Sequence, residues 1–451
     1  MPSIDAWERV ADPLADDTVA AIMRDQPLGG EALNIATRLM AGWTSNGVLS
    51  EWQPTGTDAE PAAIEALQRY LAEGAALPEW ADPAKVARAE QLFMEHGPLS
   101  CTLLFCTSLP ECYVLPQLAE VLHIAGQLEA HTEHRIRQTA AMIFPVMMRG
   151  GLMSPEGAGV AQVLKVRLIH ASIRHLILRG HPGSVQGTVA PANTTTPLDF
   201  PAALVAHGWE ANGQGLPCNQ VELAYTLLTF SYSFLQGMRR LGLPLSQADE
   251  EAYLHAWNLM GHLLGIQLNL MAHTMYEARD LFERIRQHAL DNEHLPLPDP
   301  RPPLGQALMQ TMAVAIQLPV IRHIPVAMTQ WLIGPKTATV IGVSQQVPWI
   351  TRWIFLLGLC LARGIDTVGR WVTPKFSLSR LLTRIIGYHL LTRFLLDQTR
   401  PLRLPTHVIN AMQNTVAQWS DDPHASPWLN RLEDRFTTAG SWHPSERTTA
   451  P

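Results

Sequence analysis

The chain has 451 residues, long enough for one large domain or for roughly two or three ordinary ones, and combines 47% hydrophobic with only 16% charged residues. Its 34 prolines and 30 glycines imply helices that are broken often. Five cysteines without a Cys-x-x-Cys pair argue against a disulfide framework or a zinc ribbon and fit a reducing compartment. The acidic N-terminal stretch lacks the basic and apolar segments of a secretory signal, so we expect a cytoplasmic location.

Charge is distributed unevenly along the chain. Residues 1–100 carry 16 Asp and Glu against 6 Lys and Arg, whereas residues 345–403 carry 9 Lys and Arg against 2 Asp. In the basic segment the charges alternate with tryptophans and aliphatic residues, which suits the headgroup zone of a membrane better than nucleic acid. We therefore expect no nucleic-acid partner and two open alternatives for residues 345–403. One is peripheral contact with the inner face of a membrane, and the other is an ordinary amphipathic layer on the core.

Helical periodicity recurs throughout the chain, while period-2 alternation hardly appears, so we predict an all-α fold. The predicted helices cover residues 14–25, 30–44, 61–74, 83–96, 113–128, 131–148, 154–180, 219–241, 246–291, 304–331, 347–364, 376–397, 404–420 and 426–436. Residues 180–217 are rich in Gly, Pro, Thr and Asn and predict a long loop with one short helix near Ala202. A long loop inside a compact domain is often functional, so we expect a lid or channel wall here.

A second proline-rich break, Leu295 to Pro303, suggests a division of the chain. We predict a core over residues 1–295, an apolar and basic helical region over 296–436, and a disordered tail over 437–451. No segment predicts a transmembrane helix, because the uncharged run 302–321 contains three glutamines and an interrupting proline.

One motif, RLIHASIR (residues 167–174), lies within the predicted helix 154–180. Positions three and four apart share a helical face, so Arg167, His170 and Arg174 are expected to project together. A neutral imidazole between two guanidinium groups suits haem, since the imidazole can ligate iron and the arginines can pair with propionates. The alternative is an ordinary helix whose arginines reach water and whose histidine belongs to the core.

Two further blocks accompany this motif. Upstream, HRIRQT (residues 134–139) places Arg135, Thr139 and Met142 on one stripe of a predicted helix. Downstream, Leu216–Ile266 begins with LPCNQ, where an Asn-Gln pair opens a helix, and ends with HLLGI. In this order the three blocks resemble the family of latex-clearing rubber oxygenases and fungal MpaB-type oxygenases, over roughly residues 34–266.

The resemblance implies a globin-like helical core with additional helices at both ends, and a haem b-dependent oxygenase. It implies that the substrate is an apolar, isoprenoid-like alkene whose carbon–carbon double bond is cleaved with dioxygen. His170 would be the axial iron ligand, and Arg167 and Arg174 would contact the propionates. Arg135, Gln138 and Thr139 would form the catalytic distal side.

At position 138 the chain departs from the pattern, because rubber-cleaving relatives have lysine there. An amide is a poor iron ligand but a good hydrogen-bond donor, so the closed six-coordinate state and the rubber substrate are both in doubt. A haem or lipid-binding sensor or carrier without turnover therefore stays open as the main alternative. A purely structural, membrane-associated helical protein is a third reading.

Other chemistries have weaker signals. Glu120 and His123 form a single Glu-x-x-His pair, whereas di-iron bundles need two such pairs. His131 and His134 are three apart but have no further ligand placed by the sequence. Walker, Rossmann and Gly-x-Ser-x-Gly patterns are absent from the sequence. Haem is therefore the favoured cofactor.

Overall fold

A computed structural model describes most of the chain. The described residues are 3–24, 30–54, 60–126, 128–185, 187–192, 200–291, 298–315, 323–344, 353, 355–358, 360–361, 364, 378–391, 419, 425 and 427–436. Within them, strands are confined to one antiparallel pair of two residues each, β1 (Thr188–Val189) with β2 (Trp209–Glu210). The predicted all-α fold is confirmed.

The helices follow the sequence pattern closely in the first half of the chain. They are α1 (Ile4–Glu8), α2 (Pro13–Met23), α3 (Gly30–Met40), α4 (Pro61–Gly74), α5 (Pro83–Leu103), α6 (Leu109–Cys112), α7 (Pro116–Gly126), α8 (Leu128–Met147), α9 (Gly159–Leu178), α10 (Phe200–Ala206), α11 (Ala211–Gln214), α12 (Gln220–Phe230), α13 (Tyr232–Arg240), α14 (Gln247–Leu263), α15 (Met275–Asp291), α16 (Arg301–Ala315), α17 (Ile324–Val340), α18 (Leu378–Leu391) and α19 (Pro427–Phe436). One large apolar cluster contains side chains from most of them.

Helices α16, α17 and α18 contribute to this same core, whereas α19 packs with α18 in a small separate cluster. Helix α18 lies against α5, where the Thr102 hydroxyl donates to the carbonyl of Thr383 at 2.9 Å. Gly387 lies so close to the carbonyl of Pro98 that a Cβ would clash with it. The division at residue 295 and the disordered tail over 437–451 stay predictions, and that tail lies outside the described residues.

Membrane-spanning segments were sought among the described helices. No single helix there is long and apolar enough to cross a bilayer. The segments Pro83–Cys112 and Pro116–Ile124 pass the test of length and composition together, although a bend of 102° separates them.

The segment after α9 contains more structure than a plain loop. Helix α10 confirms the short helix predicted near Ala202, and it packs against α9 and α7. The Glu120 carboxylate on α7 fastens this segment, because it lies 2.9 Å from the His207 ring and accepts from the Gln214 amide at 2.6 Å. Its role as a lid or channel wall stays a prediction.

Helix α9 is held in the core by two buried ion pairs with α2. Arg167 donates to both oxygens of Asp12, at 2.6 Å from Nε and 2.8 Å from Nη2. Arg174 pairs with Asp16 at 2.9 Å and also donates to the carbonyl of Cys218 at 2.6 Å. Charge-assisted, two-pronged contacts of this kind fix both distance and orientation, so they set the rotation of α9 about its axis.

Gln220 of the Asn-Gln pair and Gly265 of the downstream block lie at the contact between α2 and α9. The Gln220 amide donates to the carbonyls of Ala11 and Gly265 at 3.0 and 2.9 Å. Gly265 has a φ of +86°, and a Cβ there would lie 2.5 Å from Asp12 Oδ2 and 2.8 Å from Arg167 Nε. Glycine is therefore required both by the backbone and by the close approach to the ion pair.

The Asp16–Arg174 pair is nearly inaccessible to solvent, with side-chain exposures of 3% and 1%. Burial raises the pKa of Asp16, and the attraction of Arg174 offsets only part of this effect. A buried pair of this kind adds little net stability, but removing one partner leaves a buried charge without compensation.

We expect Asp16→Asn to lower the free energy of unfolding by about 3–5 kcal/mol, since it strands the Arg174 charge. Urea titration followed by circular dichroism measures this change. Asp280→Asn is the matched control, because the Asp280–Arg284 pair on α15 is exposed and worth less than about 1 kcal/mol. Equal, small effects of both substitutions would contradict a structural role for the buried pair.

Candidate active site on helices α8 and α9

Helix α9 is buried on nearly every side. Within Gly159–Leu178 the residues with partial exposure are Val166, Ile169, His170 and Ile173. Their spacing of three, four and seven residues places them on one stripe of the helix. Three apolar side chains and one histidine thus form the partly exposed face of an otherwise buried helix.

His170 has the properties of a metal ligand. Its Nδ1 atom is buried and has no hydrogen-bond partner among the described residues. Burial, followed by the positive charge of Arg174, lowers the pKa of His170 to about 4, so the ring is neutral at neutral pH. Neutral imidazole is the form that binds metal ions, so the residues at this stripe fit an iron-containing group such as haem.

The two arginines of the motif flank His170 on the side of the helix opposite the apolar part of the stripe. At 100° per residue, Arg167 and Arg174 lie about 60° and 40° to one side of His170, whereas the partly exposed apolar residues lie about 40–100° to the other side. The guanidinium groups of Arg167 and Arg174 are committed to the aspartates of α2 and to backbone carbonyls. In this structure the two arginines position α9 against α2. Their predicted contact with haem propionates stays a prediction.

Helix α8 packs against α9 as the other arm of a helical hairpin. Gln138 precedes the end of α8 by nine residues and His170 follows the start of α9 by eleven. At 1.5 Å per residue these are about 14 and 17 Å from the connecting loop, so the two positions lie at a similar height.

Gln138 and Thr139 on α8 are partly exposed, which brings an amide and a hydroxyl to about the level of His170, and Met142 is partly exposed one turn nearer the loop. Arg135 lies on α8 one turn earlier, and its side chain is outside the described residues. The distal role predicted for Arg135, Gln138 and Thr139 stays a prediction.

The other histidine candidates are less suitable. Glu120 is engaged by His207 and Gln214, while His123 is exposed, so this Glu-x-x-His pair does not form a metal site with its neighbours. The side chains of His131 and His134 lie outside the described residues.

His175 resembles His170 in two respects. Burial lowers its pKa to about 4, and its Nδ1 also lacks a hydrogen-bond partner in the described part of the chain. It lies five residues further along α9, about 140° around the helix axis and away from the stripe. His175 is therefore a natural control for His170.

Sequence reasoning missed Asp12 and Asp16. The sequence did offer one signal for these ion pairs. Two acidic residues lie one turn apart at the start of a predicted helix, and two arginines lie within an apolar helical pattern elsewhere in the chain. Sequence alone could not join these groups, because 155 and 158 positions separate the partners along the chain.

Comparison with known proteins places this site within a family domain. The family described as ER-bound oxygenase mpaB/B′/Rubber oxygenase, catalytic domain, matches residues 112–365, which is more than half of the chain. This range contains α8 and α9. It begins later and ends later than the resemblance over residues 34–266.

Two known proteins are similar over most of their length. The rubber oxygenase of Streptomyces sp. (strain K30) is 22% identical over 351 residues, covering 77% of this chain and 73% of that protein. The structure of latex clearing protein LCP in the closed state has a TM-score of 0.57 at 20% identity, covering 98% of this chain and 93% of that chain. At this identity the structural likeness concerns the fold. With the family match, these findings establish that the chain belongs to the family of mpaB/B′-type and rubber oxygenases.

Proposed function

We propose that this protein is a haem b-dependent oxygenase that cleaves a carbon–carbon double bond of an apolar, isoprenoid-like substrate with dioxygen. The observation that carries the proposal is His170, a neutral histidine with an unpartnered ring nitrogen on the exposed stripe of a buried helix. Membership of an oxygenase family supports the class of reaction.

His170 would hold the cofactor, and its surroundings prepare it to do so. The nearby charge of Arg174 disfavours protonation of the ring, so a nitrogen lone pair stays available across the neutral range. The ion pairs of Arg167 and Arg174 hold the helix beneath it in one orientation. Bound haem iron would supply the activation of dioxygen, which is chemistry that side chains lack.

The other side chains near His170 would bind and orient the substrate and would exclude water from it. Val166, Ile169 and Ile173 would offer aliphatic surface to an alkene and limit the access of water to it. Gln138 can donate a hydrogen bond from its amide, and the Thr139 hydroxyl can donate or accept one. Neither group is charged, so they would orient a polar atom without exchanging a proton with it.

The main alternative is a haem or lipid-binding sensor or carrier on the same fold. It rests on Gln138, which stands where rubber-cleaving relatives have lysine. The two functions differ in turnover. An oxygenase consumes dioxygen and releases carbonyl products from a prenyl alkene, whereas a carrier binds the alkene unchanged.

We expect the purified protein to show a Soret band and the pyridine haemochrome of haem b. His170→Ala should lose most of its haem while keeping its helical circular dichroism. His175→Ala removes another imidazole of lowered pKa from the same helix and should retain haem. Full haem occupancy of the His170 variant would show that another residue is the ligand.

Residue 138 gives a second spectroscopic test. Ferric wild-type protein should be largely high-spin, because an amide is a weak iron ligand. Gln138→Lys should become low-spin as pH rises, since only the deprotonated amine can bind iron, and burial lowers the pKa of that amine. Gln138→Met, which offers no amine, should not show this pH dependence. A variant that stays high-spin at every pH would show that residue 138 does not face the iron.

We also propose that residues 345–403 contact the anionic inner face of a membrane. Trp353, Leu357 and Leu361 are exposed by 67%, 60% and 56% and follow one another at four-residue spacing, which forms an apolar stripe on a helical segment. Residues 345–403 carry 9 Lys and Arg against 2 Asp, of which Arg380 and Arg384 are buried on α18 and do not face lipid. Apolar side chains flanked by cationic ones suit an interface of anionic headgroups.

Co-sedimentation with vesicles tests this surface. Wild-type protein should bind vesicles containing phosphatidylserine more tightly than neutral vesicles, and salt should weaken the binding. Trp353→Ser should lower the partition coefficient severalfold. Trp428→Ser, at a tryptophan of 50% exposure on α19, should leave it unchanged. Equal binding by both variants would mean that the stripe at residues 353–361 does not touch lipid.

A further inference from the structure

A cluster of potential metal ligands lies between the N-terminal helix α1 and helix α15. Asp5, Glu8 and His288 bring one ligand atom each within 4.8 Å of one another. His288 Nε2 is 3.2 Å from Glu8 Oε1 and 3.7 Å from Asp5 Oδ1. Two carboxylates and one imidazole form a donor set that borderline divalent cations accept.

A second, independent feature points to a ligand here. Glu222 on α12 is 3% exposed, and neither of its carboxylate oxygens has a hydrogen-bond partner of acceptable geometry. It lines the same small cavity as Glu8 and His288, with room for roughly one water-sized species. Buried carboxylates normally have partners, so this one requires an explanation.

The electrostatics of Glu222 agree with that view. Burial is the main cause that raises its pKa to about 8, and the charge of Glu8 raises it further. The backbone N–H groups of Cys218 and Asn219 and the guanidinium of Arg174 act in the opposite direction but do not compensate. A cation in the cavity would lower the cost of ionising Glu222 and Glu8 together.

We propose that Asp5, Glu8 and His288 bind one divalent metal ion of the zinc type, with Glu222 accepting a hydrogen bond from a water molecule on the ion. Without a metal ion, His288 could pair with Glu8 and Asp5 alone. Glu222 would then keep only the nearby N–H groups of Cys218 and Asn219, which fall short of good hydrogen-bond geometry, whereas a hydrated cation offers a contact to all four side chains.

The proposed ion would act as a structural clip. It would join α1 to α12 and α15, next to the point where the Glu8 carbonyl accepts a hydrogen bond from the Leu216 N–H. Helix α1 leads directly into α2, which carries Asp12 and Asp16. The clip would therefore secure the segment that orients α9, and it does not depend on the proposed haem chemistry.

Zinc binding by the full-length protein, with its bound cofactor, tests the proposal. After treatment with EDTA, the protein is dialysed against graded Zn²⁺, and zinc is measured separately from iron by elemental analysis. We expect saturable binding of one zinc per chain and a higher melting temperature with zinc than with EDTA. Glu8→Gln and His288→Ala should each weaken binding by roughly tenfold or more, since even partners outside the ligand set commonly contribute 10–100-fold.

The control is His181→Ala. It removes the histidine of the exposed His181–Asp17 pair, whose 3.2 Å separation matches that of His288 and Glu8. Glu222→Gln is a second probe that keeps the shape of the buried side chain, so it remains informative if Glu8→Gln does not fold. It too should weaken zinc binding. Absence of saturable zinc in the wild type, or equal zinc in all variants and the control, would show that the cluster is an ion pair only.

Discussion

The rest of the structure depends on the two ion pairs that join α2 to α9. Asp12–Arg167 and Asp16–Arg174 fix the rotation of a helix that is buried on nearly all sides. Once that rotation is set, a single stripe bearing His170 is left partly exposed. A small rotation of α9 would bury the histidine in the core and expose a guanidinium in its place.

This arrangement links two of the three sequence blocks. The arginines of RLIHASIR, and Gln220 and Gly265 of the downstream block, all meet at the start of α2. Together they enclose a pair of opposite charges away from water. Because lone buried charges are costly, these two blocks depend on each other. In this chain the blocks therefore include structural positions as well as those proposed for chemistry.

Much of the fold could be predicted from the sequence, because amphipathic periodicity and capping residues are local signals. Helix α4 has the predicted bounds, and α2, α8 and α18 differ by a few residues. The predicted helix over 219–241 is two helices that meet at Ser231, and the helix over 246–291 is interrupted between Leu263 and Met275. Both breaks occur within continuous apolar patterns, where periodicity changes too little to be noticed. The helix predicted over 404–420 lies outside the described residues.

The sequence alone predicts His170 as a candidate ligand, and that role stays a prediction. It did not predict that Arg167 and Arg174 pair with the aspartates of α2. Spacing along a helix indicates which side a residue lies on, but it does not show which neighbouring element the side chain contacts. Here the aspartates of α2 bind the guanidinium groups of Arg167 and Arg174. The most direct test of the account is chemical rescue of His170→Gly. If His170 is the axial ligand, this variant should lose its Soret band, and added imidazole should restore it by occupying the vacated space. Retention of the native spectrum without imidazole would contradict the assignment of His170 and, with it, the role given to the exposed stripe of α9.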